Sequence, residues 1–243
     1  MISKQTKWIG TSMVILLILW ELFAIVQNNE FILPYPLDVG KYMMNQLTSL
    51  EFYQAVSITF VRSILALMIG FIVAFVLAYI CFLKPIVKDI FYPILLLMRS
   101  IPNISYILII LILFSRSLSV FFVILFILFP IVYTDLYYQL VEIKKQYYPV
   151  MELYPESEIT YLKKIYLPLL RPTLLSLLNS GLSLAFKVGV MAEIIGGMQQ
   201  GIGRALNLCR LNFDMVGLFA WTGWMILILL FIDSVIHYFI ERK

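Results

Sequence analysis

Residues 149–172 read PVMELYPESEITYLKKIYLPLLRP, a charged, proline-punctuated stretch in a chain that is otherwise strongly apolar. Before it lies the uncharged run Ser117–Thr134. After it comes an apolar segment that carries Lys187 and Glu193 and ends in GGMQQGIG, residues 196–203. A polar segment wedged between runs long enough to cross a membrane sits in water and touches something soluble. Charges within the next apolar run mark a place where something polar is accommodated.

Hydrophobic residues make up 62% and charged residues 13% of 243 positions, with a mean hydropathy of +0.96. Soluble domains carry about a quarter charged residues, so the chain reads as an integral membrane protein. The uncharged runs Ser63–Leu83 (21 residues), Ser117–Thr134 (18) and Met215–Ile232 (18) approach the roughly 20 residues needed to cross the hydrocarbon core. They lack the alternation of barrel strands, which predicts an all-α bundle. Six spans are expected, at about Trp8–Val26, Ile58–Phe82, Ile101–Phe114, Val120–Tyr138, Leu174–Ile195 and Val216–Phe239. The whole chain, 1–243, reads as one transmembrane domain whose soluble excursion is the segment at about 149–168.

Lys4 and Lys7 precede the first apolar run as in a signal peptide. Glu21 lies within that run and no small-x-small cleavage site follows, so it reads as a retained span. Pro85, Pro93 and Pro102 around Arg99 predict a kinked or broken third span. In the segment after the first span, Pro34 and Pro36 force an extended entry. Val39, Tyr42, Met43 and Leu47 then recur at near-helical spacing, predicting a short surface helix.

Lys and Arg report orientation. With both termini inside, ten fall on the cytoplasmic side (Lys4, Lys7, Lys84, Lys88, Lys144, Lys145, Lys163, Lys164, Arg242, Lys243) and four outside (Lys41, Arg116, Arg204, Arg210). The basic residues are spread along the chain, which argues against nucleic acid as a partner. Cys81 and Cys209 have no ligand spacing and His237 is the one histidine, so neither a metal site nor a His-based catalytic site is expected.

In the opening stretch, Pro155 is suited to a first helical position. Glu156 and Glu158 follow in the first turn and Lys163 and Lys164 near the end, each favourable with the helix dipole. Ile159, Leu162, Tyr166 and Leu169 form one apolar stripe, and Pro168 and Pro172 redirect the chain into the fifth span. The stripe suits either the lipid surface or a groove of a soluble subunit.

At Leu167-Pro168, Ala192-Glu193 and Gly201-Ile202-Gly203 the chain resembles the permease subunits of binding-protein-dependent ABC importers. The nearest group is the nitrate/sulfonate/taurine type, which includes permeases for thiamine-precursor pyrimidines. The resemblance extends to Leu33-Pro34-Tyr35-Pro36, to Ser57 and Arg62 before Gly70, and to Ile101-Pro102. It implies a type I importer permease in a bacterial cytoplasmic membrane, with both termini inside. It further implies a pair of permeases (a homodimer or a homologous partner), two ATP-binding cassette ATPases that use ATP and Mg, and an external binding protein. The segment with Pro155, Glu156, Ser157, Glu158, Ile159 and Leu162 would be the coupling helix that docks into the ATPase. The family's Glu-Ala-Ala…Gly signature is absent: counting back from Pro168, Pro155 stands at the glycine and Pro149, Val150 and Met151 at the Glu and Ala positions. The fifth span lines the pathway in that family.

Lys187 and Glu193 are therefore the pathway candidates. Glu193 lies six residues on, about 600° around the helix, and so cannot neutralise Lys187. Lys187 either offsets a passing anion or pairs with an acid on a neighbouring helix. Glu193 also has an architectural reading, together with the outer turn or gate at Gly197, Gly201 and Gly203. Ser176, Asn179, Ser180, Gly181 and Ser183 suit close helix packing. Asp233 and Glu21 are expected to pair or to reach an interface, and Arg62 to make an internal pair. The chain has no G-x-x-x-x-G-K-[ST] loop, so it would bind no cofactor and catalyse nothing itself. The solute would be small and polar, anionic or heterocyclic. The rival readings are an ATP-independent secondary carrier, for which no internal repeat is found, and an intramembrane enzyme, for which no Ser–His pair is evident.

Overall fold

The computed structural model describes residues 2–241, among which every regular element is a helix. These are α1 (Ile2–Gln27), α2 (Pro36–Gln46), α3 (Leu50–Leu83), α4 (Pro85–Ser100), α5 (Asn103–Leu113), α6 (Arg116–Leu153), α7 (Glu158–Tyr161), a π turn (Leu162–Tyr166), α8 (Leu167–Ile195), α9 (Ile202–Leu211) and α10 (Met215–Glu241). Five stretches are long and apolar enough to cross a membrane, and α4 with α5 makes a sixth if that bent pair is one span.

The third expected span is broken, as its prolines predict. Axes α4 and α5 meet at 104°. Ile101 is extended (φ −78°, ψ 128°) and Pro102 precedes the first turn of α5, because the residue before a proline is pushed out of the helical region. Pro85 opens α4, where its missing N–H costs nothing, and Pro93 stays inside the helix.

Helix α6 is the axis of the bundle, packed between α3 and α8. On α3, Ala66, Gly70, Ala74 and Ala78 recur every four residues. The three alanines are fully buried, and a Cβ on Gly70 would lie 3.8 Å from Leu125. This small-residue ridge lets two long helices approach closely where no aqueous hydrophobic drive separates them from lipid. Two cores stack along α6. One joins Leu95 of α4 to Ala74, Ala78, Leu136 and Leu177, and the other joins Tyr106, Ile107 and Ile110 of α5 to Ala66, Ile124, Ala185 and Ala192. The bent pair therefore passes from one half of the bundle to the other. Helix α1 is peripheral: Ala24 is buried and Trp20 half-buried, while Met13–Leu19, Leu22, Phe23, Ile25 and Val26 face outward. Its Trp20 indole donates to Pro34 O at 3.0 Å.

The predicted surface helix is α2, with Val39 buried. The glycines read from sequence as a turn do turn at Gly196–Gly201, and the residues that follow form a ten-residue helix, α9. Its buried Ile202, Leu206 and Cys209 recur at i, i+4 and i+7.

Candidate functional site

The excursion at 149–168 differs from its sequence reading. Helix α6 runs on to Leu153, and the next helix begins at Glu158, not at Pro155, because Ser157 is the cap. Its hydroxyl accepts from Thr160 N at 3.3 Å. No separate coupling helix follows. α7, the π turn and α8 form one continuous stretch, Glu158–Ile195. Pro168 and Pro172 do not redirect it. Pro168 has no N–H to give Lys164 O and its ring crowds that carbonyl, and the wider π turn ahead of it absorbs the misfit.

The apolar stripe also divides. Tyr166 is buried and Leu162 and Leu169 pack against Leu140, Ile143, Met151 and Leu170 of the chain's own bundle. Ile159 alone of the stripe points out, 66% exposed, beside Leu153 (76%) and Tyr154 (71%). Pro155, Glu156, Ser157 and Glu158 are exposed with them. The turn is braced from beneath. The Tyr161 hydroxyl accepts from Glu156 N at 2.9 Å and lies 3.0 Å from Met151 O and 3.1 Å from Tyr154 O, and Tyr79 Oη donates to Glu158 O at 3.0 Å. Lys164 and Glu156 are 3.8 Å apart at the surface. α6 and Glu158–Ile195 each hold 38 residues, roughly 57 Å at 1.5 Å per residue against a hydrocarbon core of about 30 Å. Each is thus longer than the hydrocarbon core is thick by roughly 27 Å.

At the opposite end, Glu193 is wholly buried and forms an ion pair with Arg62 Nη1 at 3.1 Å. Thr59 Oγ1 donates to the same carboxylate (2.9 and 3.1 Å) and accepts from Ile202 N at 2.9 Å. Gly203 N donates to Glu193 Oε2 at 3.0 Å. A carboxylate from α8 and a hydroxyl from α3 thus satisfy the first N–H groups of α9, where negative charge is favoured. This corrects Glu193 as a pathway residue: it has no surface with which to meet a solute. The expected internal pair of Arg62 is present. The glycines follow from this knot. Gly201 takes φ +110°, and a Cβ at Gly203 would collide with Cβ of Glu193 and lie 2.8 Å from Val190 O. Gly197 also has positive φ, +57°.

Beside this knot, Asp214 accepts from Gly217 N at 2.8 Å and caps α10, while Tyr42 Oη lies 3.4 Å from its other oxygen. Burial, with the neighbouring Asp214 carboxylate, pushes the Cys209 thiol up to about 11 and the Tyr42 phenol up to about 12.

Lys187 behaves differently from Glu193. It is exposed on α8, and among the described residues no acid lies within ion-pair distance, so the alternative of an internal pair is not realised among them. Ser176, Ser180, Ser183, Lys187 and Met191 fall on one side of α8 by their spacing of three and four, and of these all but the half-buried Ser183 are exposed. Asp233 accepts from Asn179 Nδ2 at 2.9 Å. Among the described residues no cluster suits a metal ion.

A multi-pass helical domain with an exposed soluble turn and a polar face along one crossing helix is the architecture of a transport permease. Residues 66–243 match the family described as binding-protein-dependent transport system inner membrane component, and the chain belongs to that family of ABC permease subunits, which work with an ATPase and a substrate-binding protein. A comparison with curated proteins finds no match to the chain.

Proposed function

We propose that the chain is one of a pair of permease subunits in an ATP-driven importer of a small polar solute, anionic or heterocyclic, and that the pair works by alternating access. The observation that carries this reading is the turn at Leu153–Ile159. It presents apolar and acidic side chains to water at the end of two helices too long for the membrane. Soluble apolar surface on a rigid support suits docking into a partner groove, and an ATPase seated there would move α6 and α8 as levers. The exposed Lys187 stripe supports the pairing, since a lysine and three serines are unfavourable against lipid and call for a second subunit or an aqueous path.

In this reading the turn is cytoplasmic, both termini lie on its side, α9 faces the binding protein, and the ATPases use ATP and Mg. The charge sets counted from sequence support this orientation: Lys144 lies over Phe82, which packs in the core beneath the turn, and Arg204 and Arg210 are on α9. Purification from native membranes in mild detergent should recover an ATP-binding cassette ATPase in equal number to the permease, and recovery of the folded chain with none would sink the proposal. In intact cells an impermeant thiol reagent should modify a cysteine at position 204 and spare one at 158. Native Cys209, buried and with its raised pKa, should stay unlabelled as the internal control.

A further inference from the structure

Where α4 crosses α6, in the half of the bundle nearer the turn, lies a cavity of about 310 Å³. Lys88, Tyr92, Leu95 and Arg99 line it from α4, at i, i+4, i+7 and i+11, and so from one face of that helix. Facing them on α6 are Tyr133, Tyr137 and Tyr138. Tyr133 is buried and stacks on Tyr137 (centroids 6.1 Å apart, 13° between planes), which meets Tyr138 edge-on at 5.7 Å.

Arg99 gives the cavity its chemistry. It is exposed and sits between Met98, packed on the core that holds Leu95, and Ile101, packed on the core that holds Tyr106, and so lies near mid-bundle. A charge at that depth costs roughly 2.5–3.5 kcal/mol on insertion, yet among the described residues Arg99 has neither an ion pair nor a hydrogen bond. At the other end Lys88 lies over the Tyr137 ring, 5.6 Å from its centroid, and Asp89 adds one negative charge, so the cavity's cations exceed its acids by one. The uncompensated charge of the cavity is the guanidinium, whose planar fork suits a carboxylate, sulfonate or phosphate.

Tyr138 also lines a second hollow between α6 and α8, with the acids Asp135 and Glu142 and with Ser176, the first residue of the stripe leading to Lys187. We infer that the α4–α6 cavity binds the solute during passage, and that this solute is a planar aromatic or heterocyclic ring bearing an acidic group. Tyrosine faces and edges hold the ring and Arg99 holds the acid. A volume near 310 Å³ is at the small end of ligand sites and suits one ring or a fused pair. The inference rests on the reading of the Lys187 face as the pathway. A lipid phosphate would also satisfy Arg99, but without a ring it would leave the tyrosines unused.

The test uses the full chain in nanodiscs of a zwitterionic lipid, with benzenesulfonate as probe and ethanesulfonate as its ringless counterpart, read by equilibrium dialysis. Benzenesulfonate should bind saturably and at least about tenfold more tightly than ethanesulfonate. Arg99→Gln and the rim variant Tyr138→Leu should each weaken it by about tenfold or more, while a thermal melt shows the bundle intact. Equal binding of the two sulfonates, no saturable binding, or indifference to both variants would overturn the inference. So would displacement by phosphatidylglycerol with no preference for the ring, which would make the cavity a headgroup site. The same discs assembled with the ATPase separate the two failures. Coupled ATP hydrolysis without arylsulfonate binding removes this inference alone, and loss of coupling removes the importer reading beneath it.

Discussion

The two ends of the bundle solve opposite problems with similar residues. At the α9 end an acid, an arginine and a threonine are folded inward, and their polar atoms are used up on one another and on the helix N-terminus. At the α6–α8 turn two glutamates and two lysines stay in water, and apolar Leu153, Tyr154 and Ile159 are held out with them. Buried charge is costly to disturb and makes a fixed joint. Exposed charge contributes about 0–1 kcal/mol to the fold and is free to serve a partner. The contrast predicts that stability and coupling respond to substitution at different ends.

The largest loss of stability belongs to the knot. Glu193→Ala leaves Arg62 without its partner and the Gly203 N–H of α9 unsatisfied, and should destabilise the chain by about 3–5 kcal/mol, read from denaturant unfolding in micelles. Gly203→Ala should approach it, because the new Cβ must displace Glu193. If either variant unfolds like the parent, the α9 end is not the rigid one and the comparison fails at its root.

Thr59→Val comes next. The swap keeps the shape but removes the donor to Glu193 and the acceptor for Ile202 N, so a loss of about 1–3 kcal/mol is expected. In a double mutant with Glu193→Gln the two losses should sum to more than the combined effect, since both act on one network. Strict additivity would show the hydroxyl and carboxylate working independently.

Lys187 sharpens the contrast from within α8, six residues from Glu193. With no partner among the described residues, Lys187→Met should leave the melting temperature unchanged or raise it, while transport falls by about tenfold or more if the ammonium offsets a passing anion. Destabilisation on the scale of Glu193→Ala, with normal transport per folded molecule, would return Lys187 to the scaffold.

Sequence carried the bundle and its breaks well, because span length and proline position are local signals. It carried the knot poorly. Arg62 and Glu193 are each visible as a charge in an apolar run, but they lie 131 residues apart, and nothing in linear order brings them together. The opposite signs of the two charges were the available clue. α9 was hidden by its own glycines, which read as a turn although Ile202, Leu206 and Cys209 keep helical spacing. At 155–169 the period was right and the direction wrong. An apolar stripe tells that a face is buried, not against what, and most of this one is covered by the chain's own Leu140, Met151 and Leu170.

The smallest effect on stability, and the largest on coupling, is expected at the turn itself. Leu153, Tyr154 and Ile159 lose little on unfolding because they are already in water, and Glu156 and Glu158 contribute no buried pair. Ile159→Asp, or Glu156→Lys with Glu158→Lys, should therefore stay within about 0.5 kcal/mol of the parent. If the turn is the ATPase seat, either change should abolish the stimulation of ATP hydrolysis by the loaded binding protein in reconstituted vesicles. Tyr161→Phe supplies the contrast within the same few residues. It removes the hydroxyl that accepts from Glu156 N, should cost about 1 kcal/mol, and weakens coupling through the bracing instead of the contact. A second-site change in the ATPase that restores stimulation to Ile159→Asp but not to Tyr161→Phe would place the contact on Ile159. Undiminished stimulation in the Asp and Lys variants would leave the turn a mere connector, and the functional difference between the two ends would vanish.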